Sequence, residues 1–278
     1  MTRKLSLAHL TAIQASPPQL VNIAADAGYD CVGLRLLEVT PGDAWPIIND
    51  AALLAETKRV LTDRDIQVLD VELVRLTPDV SIESFRPMLE TAAELGARHV
   101  LTQGHDAERS RLVENFAAFC ALARDFGLTA DVEFLTWTGL NCTAHAWSLI
   151  QEADCNDAGI MIDTLHFCRS GCDPGELKTI PPDRFHFVQI SDAAGPKPNT
   201  TEGLIFTARE DRLFPGEGDL NLVEIMLALP PDISVGIEIP NSRLAQSLEP
   251  ADRARRARLA TVELLRRVDE ARTTAPMR

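Results

Sequence analysis

Several features are missing from this sequence, and each absence narrows the reading. There is no long apolar run: the first residues, Met1 to Leu7, carry two basic side chains and reach the polar Ser16-Pro17-Pro18 without one. Neither a signal peptide nor a membrane span is therefore expected, and the cytoplasm is the expected compartment. The six cysteines (31, 120, 142, 155, 168 and 172) form no CxxC pair, and disulfides are uncommon in the cytosol, so free thiols, several of them buried, are expected. Basic charge is in deficit, 27 Lys and Arg against 41 Asp and Glu for a net charge of −14. Such a surface repels phosphate backbones and anionic lipid, which argues against nucleic acid and membranes as partners. No Ser/Gly-rich linker or low-complexity stretch divides the 278 residues, so one domain over 1–278 is expected.

What is present is an alternation. Aliphatic runs stand at Leu5 to His9, Cys31 to Leu36, Gln67 to Leu73, His99 to Gln103, Thr129 to Phe134, Gly159 to Asp163, Phe185 to Ser191 and Val235 to Ile239. Stretches of helical period lie between or after them: Pro18 to Ala27, Ala51 to Asp63, Ile82 to Leu95, Ala107 to Phe126, Thr143 to Ala153, Pro174 to Thr179, Leu222 to Ala228 and Pro250 to Ala271. Eight strands each followed by a helix read as an α/β (β/α)₈ TIM barrel, because parallel strands covered by helices are apolar throughout. One long irregular stretch, Asp192 to Asp219, follows the seventh strand and reads as an active-site loop or lid. The arginines of the final helix read as a solvated outer face.

In a closed barrel, reactive groups project from the C-terminal ends of the strands. The last four runs end with Glu133, Asp163, Gln189 and Glu238, four oxygen-bearing side chains among aliphatic neighbours. Buried carboxylates need a counter-charge, and no Lys or Arg flanks these closely in sequence. One divalent ion is the expected partner, and an all-oxygen set suits Mg²⁺ or Mn²⁺. The alternative is that each carboxylate caps a helix or pairs with an arginine across the mouth. Arg35 and Glu72 end the second and third strands and are expected to form an ion pair. His9, Arg35, Glu72, His105 and Arg212 are candidates for substrate contact, with Arg212 suited to a bidentate grip on a carboxylate or phosphate.

These residues carry a resemblance. Glu133, the Asp163-Thr164-Leu165-His166 pattern, Glu238 in Val-Gly-Ile-Glu-Ile-Pro and the Pro215-to-Gly218 PGEG stretch resemble the sugar phosphate isomerase/epimerase superfamily of xylose-isomerase-like barrels. The similarity spans nearly the whole chain. It implies a metal held by the ends of the fifth to eighth strands, with His166 near the substrate. Where many members read HxHxKD, this chain reads Phe185-His186-Phe187-Val188-Gln189-Ile190-Ser191-Asp192. Gln189 takes the ligand position, and its amide oxygen keeps the set all-oxygen. His186, three residues earlier and on the other side of the strand, is expected to be structural. Glutamine here, with the Asp192-Ala193 that follows, resembles the 3-dehydroshikimate dehydratase branch.

The implied chemistry is metal-dependent abstraction of a proton beside a carbonyl of a polyhydroxylated small molecule, with Glu133, Glu238 and His166 as the catalytic groups. Return of the proton gives an isomerase or epimerase; loss of a β-hydroxyl gives a dehydratase. A non-catalytic metal-binding barrel is the alternative of another class, and a homo-oligomer is compatible with the sequence. An endonuclease on this barrel would need more His ligands and less negative charge.

Overall fold

The computed structural model describes residues 3–42 and 44–274. Parallel strands β1 (Leu5–Ala8), β2 (Cys31–Arg35), β3 (Gln67–Leu76), β4 (His99–Gly104), β5 (Thr129–Glu133), β6 (Gly159–Ile160), β7 (Ile162–Asp163), β8 (Phe187–Ile190) and β9 (Ser234–Ile237) form one sheet. Its order is β6-β5-β4-β3-β2-β1-β9-β8-β7. The two end strands are halves of one run that changes partner at Met161: β6 pairs with β5 and β7 with β8. Residues 159–163 thereby bring the sheet round into the expected eight-stranded barrel, an arrangement that leaves the strands almost no free edge.

The helices are α1 (Pro17–Ala27), α2 (Ala51–Arg64), α3 (Arg86–Glu94), α4 (Arg109–Asp125), α5 (Thr143–Glu152), α6 (Thr164–Ser170), α7 (Pro174–Leu177), α8 (Thr201–Glu210), α9 (Leu222–Ala228), α10 (Ser242–Ser247) and α11 (Pro250–Thr274). Local chemistry sets their ends. Ser16 and Gln19 close a capping box ahead of Pro17 and Pro18 in α1, and Gly28 ends that helix at φ 83°. Asp50 accepts hydrogen bonds from the backbone N–H of Ala52 and Leu53 at the start of α2. The main core fills the space between strands and helices, while Cys31, Leu69, Leu73, Leu101, Met161 and Phe187 form a second apolar cluster. No helix among the described residues is long and apolar enough to cross a membrane.

The stretch 192–219 is not irregular throughout. Thr200 caps α8 by accepting a hydrogen bond from Gly203 N–H at 3.1 Å, and Leu204, Ile205 and Ala208 give that helix its inward side. Bridges from Asp192 to Leu213 and from Asp211 to Asn241 tie the segment down. The reading of a long structureless loop is thus corrected to a short capped helix, whose last turn reaches the barrel mouth. The helix α6, directly after Asp163, is likewise absent from the sequence reading.

Candidate active site at the barrel mouth

Side chains alternate along a strand, so Asp131 and Glu133 of β5 share one face, with Glu133 the nearer to the C-terminal end. Register brings neighbours together: Gln103 is opposite Glu133, and Asp163 is opposite Gln189. Glu238 follows β9 directly, and all four predicted ligands are buried. Ligand atoms of Glu133, Asp163 and His166 lie within 4.8 Å of one another.

The counter-charge judged missing from the sequence is present. Arg212 is buried, with Nη1 2.6 Å from Asp163 Oδ2 and Nη2 3.0 Å from Glu238 Oε2. Its Nε donates to the Ala208 carbonyl at 2.7 Å. Asp163 Oδ1 meanwhile accepts hydrogen bonds from Leu165 N–H at 2.8 Å and His166 N–H at 3.1 Å. No Lys or Arg flanks these carboxylates in sequence, but the alternative of an arginine pairing across the mouth holds for Asp163 and Glu238: the segment directly after α8 brings Arg212 into the cluster from 49 residues away. Asp163 both caps a helix and pairs with an arginine. Burial pushes its carboxyl upward, but Arg212 and His166 outweigh that and hold it below its ordinary value.

Glu133 is in the opposite condition. Burial, then the charges of Asp163 and Glu238, lift its carboxyl well above the usual range against the pull of Gln103 and Arg212. Gln103 Nε2 donates to Glu133 Oε2, and Gln103 Oε1 lies 3.0 Å from His105 Nε2, so His105 orients the glutamine that orients Glu133. Burial also pushes Glu238 up to about 8, with Arg212 opposing and Glu72 and Asp163 adding to the shift. The His166 ring is buried edge-to-face against Trp137, centroids 5.0 Å apart. Its Nε2 is 4.0 Å from Glu133 Oε1. Burial lowers His166 to about 4, with Asp163 opposing and Arg212 assisting, so the ring is neutral at neutral pH.

Arg35 and Glu72 form the expected pair, Nη2 to Oε2 at 2.9 Å. Glu72 Oε1 also accepts from Gln189 Nε2 at 3.3 Å. His9 stands apart from the cavity lining: Nε2 is 2.9 Å from the Ala15 carbonyl, and Nδ1 accepts from Arg35 N–H at 3.2 Å. Both of its ring nitrogens thus serve the backbone, leaving neither for a substrate. His105 is half-buried behind Gln103. His186 turns to Asp131, Nδ1 to Oδ1 at 2.7 Å, and so lies outside the mouth cluster. Above that cluster opens a cavity of about 260 Å³ whose lining includes Arg35, Glu133, His166, Arg212 and Glu238. Gln103, Trp137, Arg75 and Arg209 also line it, and none of these four was singled out from the sequence. Gln103 was visible as the last residue of its apolar run.

The donor set fits a hard divalent ion. When ionised, Glu133, Asp163 and Glu238 exceed the single charge of Arg212 by two negative charges. Gln189 Oε1 is buried with no hydrogen-bond partner, a neutral oxygen whose desolvation only a cation or donor repays.

The raised Glu238 carboxyl has a measurable consequence. A folded-state value near 8 against an ordinary 4.5 means that the folded chain holds a proton the unfolded chain has released. This contribution to stability is complete below the unfolded value and is lost as pH rises through about 8. In urea denaturation of metal-free protein, the wild type should lose stability across that window relative to Glu238→Gln. Parallel pH profiles for the two proteins would refute the assignment.

Comparison with known proteins agrees with this architecture. A 3-dehydroshikimate dehydratase of Pseudomonas aeruginosa is 26% identical over 230 residues, 78% of this chain and 34% of that protein. An inosose isomerase of Bacillus licheniformis is 26% identical over 153 residues, 51% of this chain and 52% of that one. The chain thus spans about a third and about half of the lengths of these two enzymes. The crystal structure of the IOLI protein with a bound zinc atom superposes with a TM-score of 0.79 at 19% identity, covering 95% of this chain and 99% of that one. The family described as xylose isomerase-like TIM barrel matches residues 21–264, and this chain belongs to that family.

Proposed function

We propose that this chain is a divalent-metal-dependent enzyme that removes a proton beside a carbonyl of a small polyhydroxylated substrate. The observation that carries this reading is the mouth cluster: three buried carboxylates, two of them on one guanidinium, beside the unpartnered Gln189 Oε1. Glu133, Asp163, Gln189 and Glu238 would hold the ion, Mn²⁺ or Mg²⁺ by the hardness of their oxygens. Bound there, it supplies Lewis-acid polarisation of the substrate carbonyl.

The chain's own groups do the rest. Burial raises the carboxyls of both Glu238 and Glu133 above their ordinary values, the direction that makes a carboxylate a stronger base. One of them takes the α-proton. His166, neutral at the cavity wall, donates its N–H to a substrate oxygen or accepts a proton. It does not begin as the imidazolium that expulsion of hydroxide by a charged acid would need. Trp137 packs on the His166 ring and shields it from water. Arg35 is held by Glu72, which leaves it fixed at the cavity edge.

A second reading narrows the reaction to dehydration of a hydroxylated keto acid. Although the chain is strongly acidic, Arg35, Arg75, Arg209, Arg212 and Arg253 all line this one cavity, a polarity that suits a substrate carboxylate. A relative matched over 78% of this chain is a 3-dehydroshikimate dehydratase, which supports the same direction.

The test is Mn²⁺-loaded protein incubated with 3-dehydroshikimate, inososes, ketoses and ketose phosphates. Rising ultraviolet absorbance from an aromatic acid would support dehydration, and new epimers or isomers the broader reading. Turnover that persists unchanged after chelation, or no turnover across the panel with the ion bound, would overturn the proposal.

A further inference from the structure

The opposite end of the barrel holds a second cluster of metal-binding side chains. His99 opens β4, Asp131 lies within β5, and His186 stands immediately before β8. All three are therefore nearer the N-terminal ends of the strands than the mouth residues are. Asp131 is fully buried, and the two imidazoles approach different oxygens of its carboxylate. His186 Nδ1 is 2.7 Å from Oδ1 and His99 Nδ1 is 3.4 Å from Oδ2. The rings stack with centroids 5.0 Å apart and planes inclined by 22°, and one ligand atom from each of the three residues lies within 4.8 Å of the other two.

Two further observations set this cluster apart from an ordinary ion-paired histidine. First, Thr129 Oγ1 lies between all three groups. It is 2.7 Å from His99 Nδ1, 2.6 Å from Asp131 Oδ2 and 3.5 Å from His186 Nδ1. Its hydroxyl donates to Asp131 Oδ2 and offers its lone pairs to the two rings, so polar atoms from four side chains crowd one small space. Second, the strand facing Asp131 has no side chain there. A Cβ on Gly159 would stand 2.4 Å from Asp131 Oδ1 and 2.6 Å from His186 Nδ1. The histidine side chains keep 14% and 20% of their surface exposed, which gives an ion a way in from solvent.

We infer that His99, Asp131 and His186 form a second metal site, at the closed end of the barrel, that takes a borderline transition-metal ion such as Zn²⁺. Two neutral imidazoles and one carboxylate are ligands that Zn²⁺ accepts, whereas Mg²⁺ and Mn²⁺ prefer the oxygens of the mouth. Each ring binds through Nδ1 with its proton on Nε2. An ion here ties β4, β5 and the entry to β8 together without touching the chemistry at the mouth.

The test uses wild-type crystals equilibrated with micromolar free Zn²⁺ and diffraction recorded at the zinc absorption edge. The expected result is an anomalous peak between His99, Asp131 and His186, at about 2.0–2.2 Å from nitrogen and oxygen. In solution, metal-free protein carrying His99→Ala and His186→Ala should take up one Zn²⁺ fewer per chain than the wild type. Glu133→Gln with Glu238→Gln should leave this site filled. No peak at the three residues, or equal Zn²⁺ uptake by the histidine variant and the wild type, overturns the inference. Should the histidine variant fail to fold, the wild-type diffraction measurement decides alone.

Discussion

Replacing Arg212 with Met is expected to destabilise the metal-free protein by about 3–5 kcal/mol, the usual cost of removing one partner from a buried ion pair. The reason is local: the guanidinium is the cation placed directly on both Asp163 and Glu238, and without it these carboxylates face Glu133 with no ion pair of their own. Stability should be read from urea denaturation in the presence of chelator. Under the metal reading, saturating Mn²⁺ restores part of the loss, by about 2.7 kcal/mol at a concentration one hundred times the dissociation constant. A loss below about 1 kcal/mol, in the range of exposed pairs, would mean that Arg212 is not what neutralises the cluster. The same geometry changes the outlook for Asp163→Ala. From the sequence, that variant is expected to lose activity and keep its stability, because carboxylate crowding is relieved. In the structure Asp163 also caps α6 and holds Arg212, so destabilisation is now expected and Asp163→Asn becomes the gentler probe.

His166→Asn is expected to lower turnover by about 10²- to 10⁴-fold, the range for loss of one positioned proton-transfer group, with bound Mn²⁺ unchanged. His166 sits beyond the cap at Asp163, with its ring against Trp137 and Nε2 turned toward Glu133. Occupancy and turnover are to be measured on the same preparation. Parallel loss of both would make His166 a ligand, and unchanged turnover would remove it from the chemistry.

The barrel was legible because its signals are local and repeated. Aliphatic runs such as Val132 and Ile162, framed by capping residues such as Ser16 and Asp50, need no knowledge of distant contacts. Strand-end position also sufficed to nominate Glu133, Asp163, Gln189 and Glu238, which the fold does gather at one end. What stayed hidden depends on chain crossings. Arg212 meets Asp163 only because α8 folds back over the mouth, and α8 itself was masked by the Pro196 and Pro198 before it and the charged residues at its end. The helix α6, seven residues long, is too short for helical period to register. Gln103 looked like an ordinary strand residue, and its role comes from the register that sets it beside Glu133. His9 and His186 are alike in sequence to functional histidines, and only their partners separate them: backbone for one, Asp131 for the other.

The central claim is that the mouth carboxylates and Gln189 hold a divalent ion on which turnover depends. Electron paramagnetic resonance of free Mn²⁺ during titration of metal-free protein tests it most directly, with activity on the substrate panel assayed in the same tubes. The account predicts one Mn²⁺ per wild-type chain with turnover rising in proportion, weaker uptake by Gln189→Met, and none at the mouth in Glu133→Gln with Glu238→Gln. Undiminished Mn²⁺ uptake by that double variant, or full turnover without the ion, would contradict it.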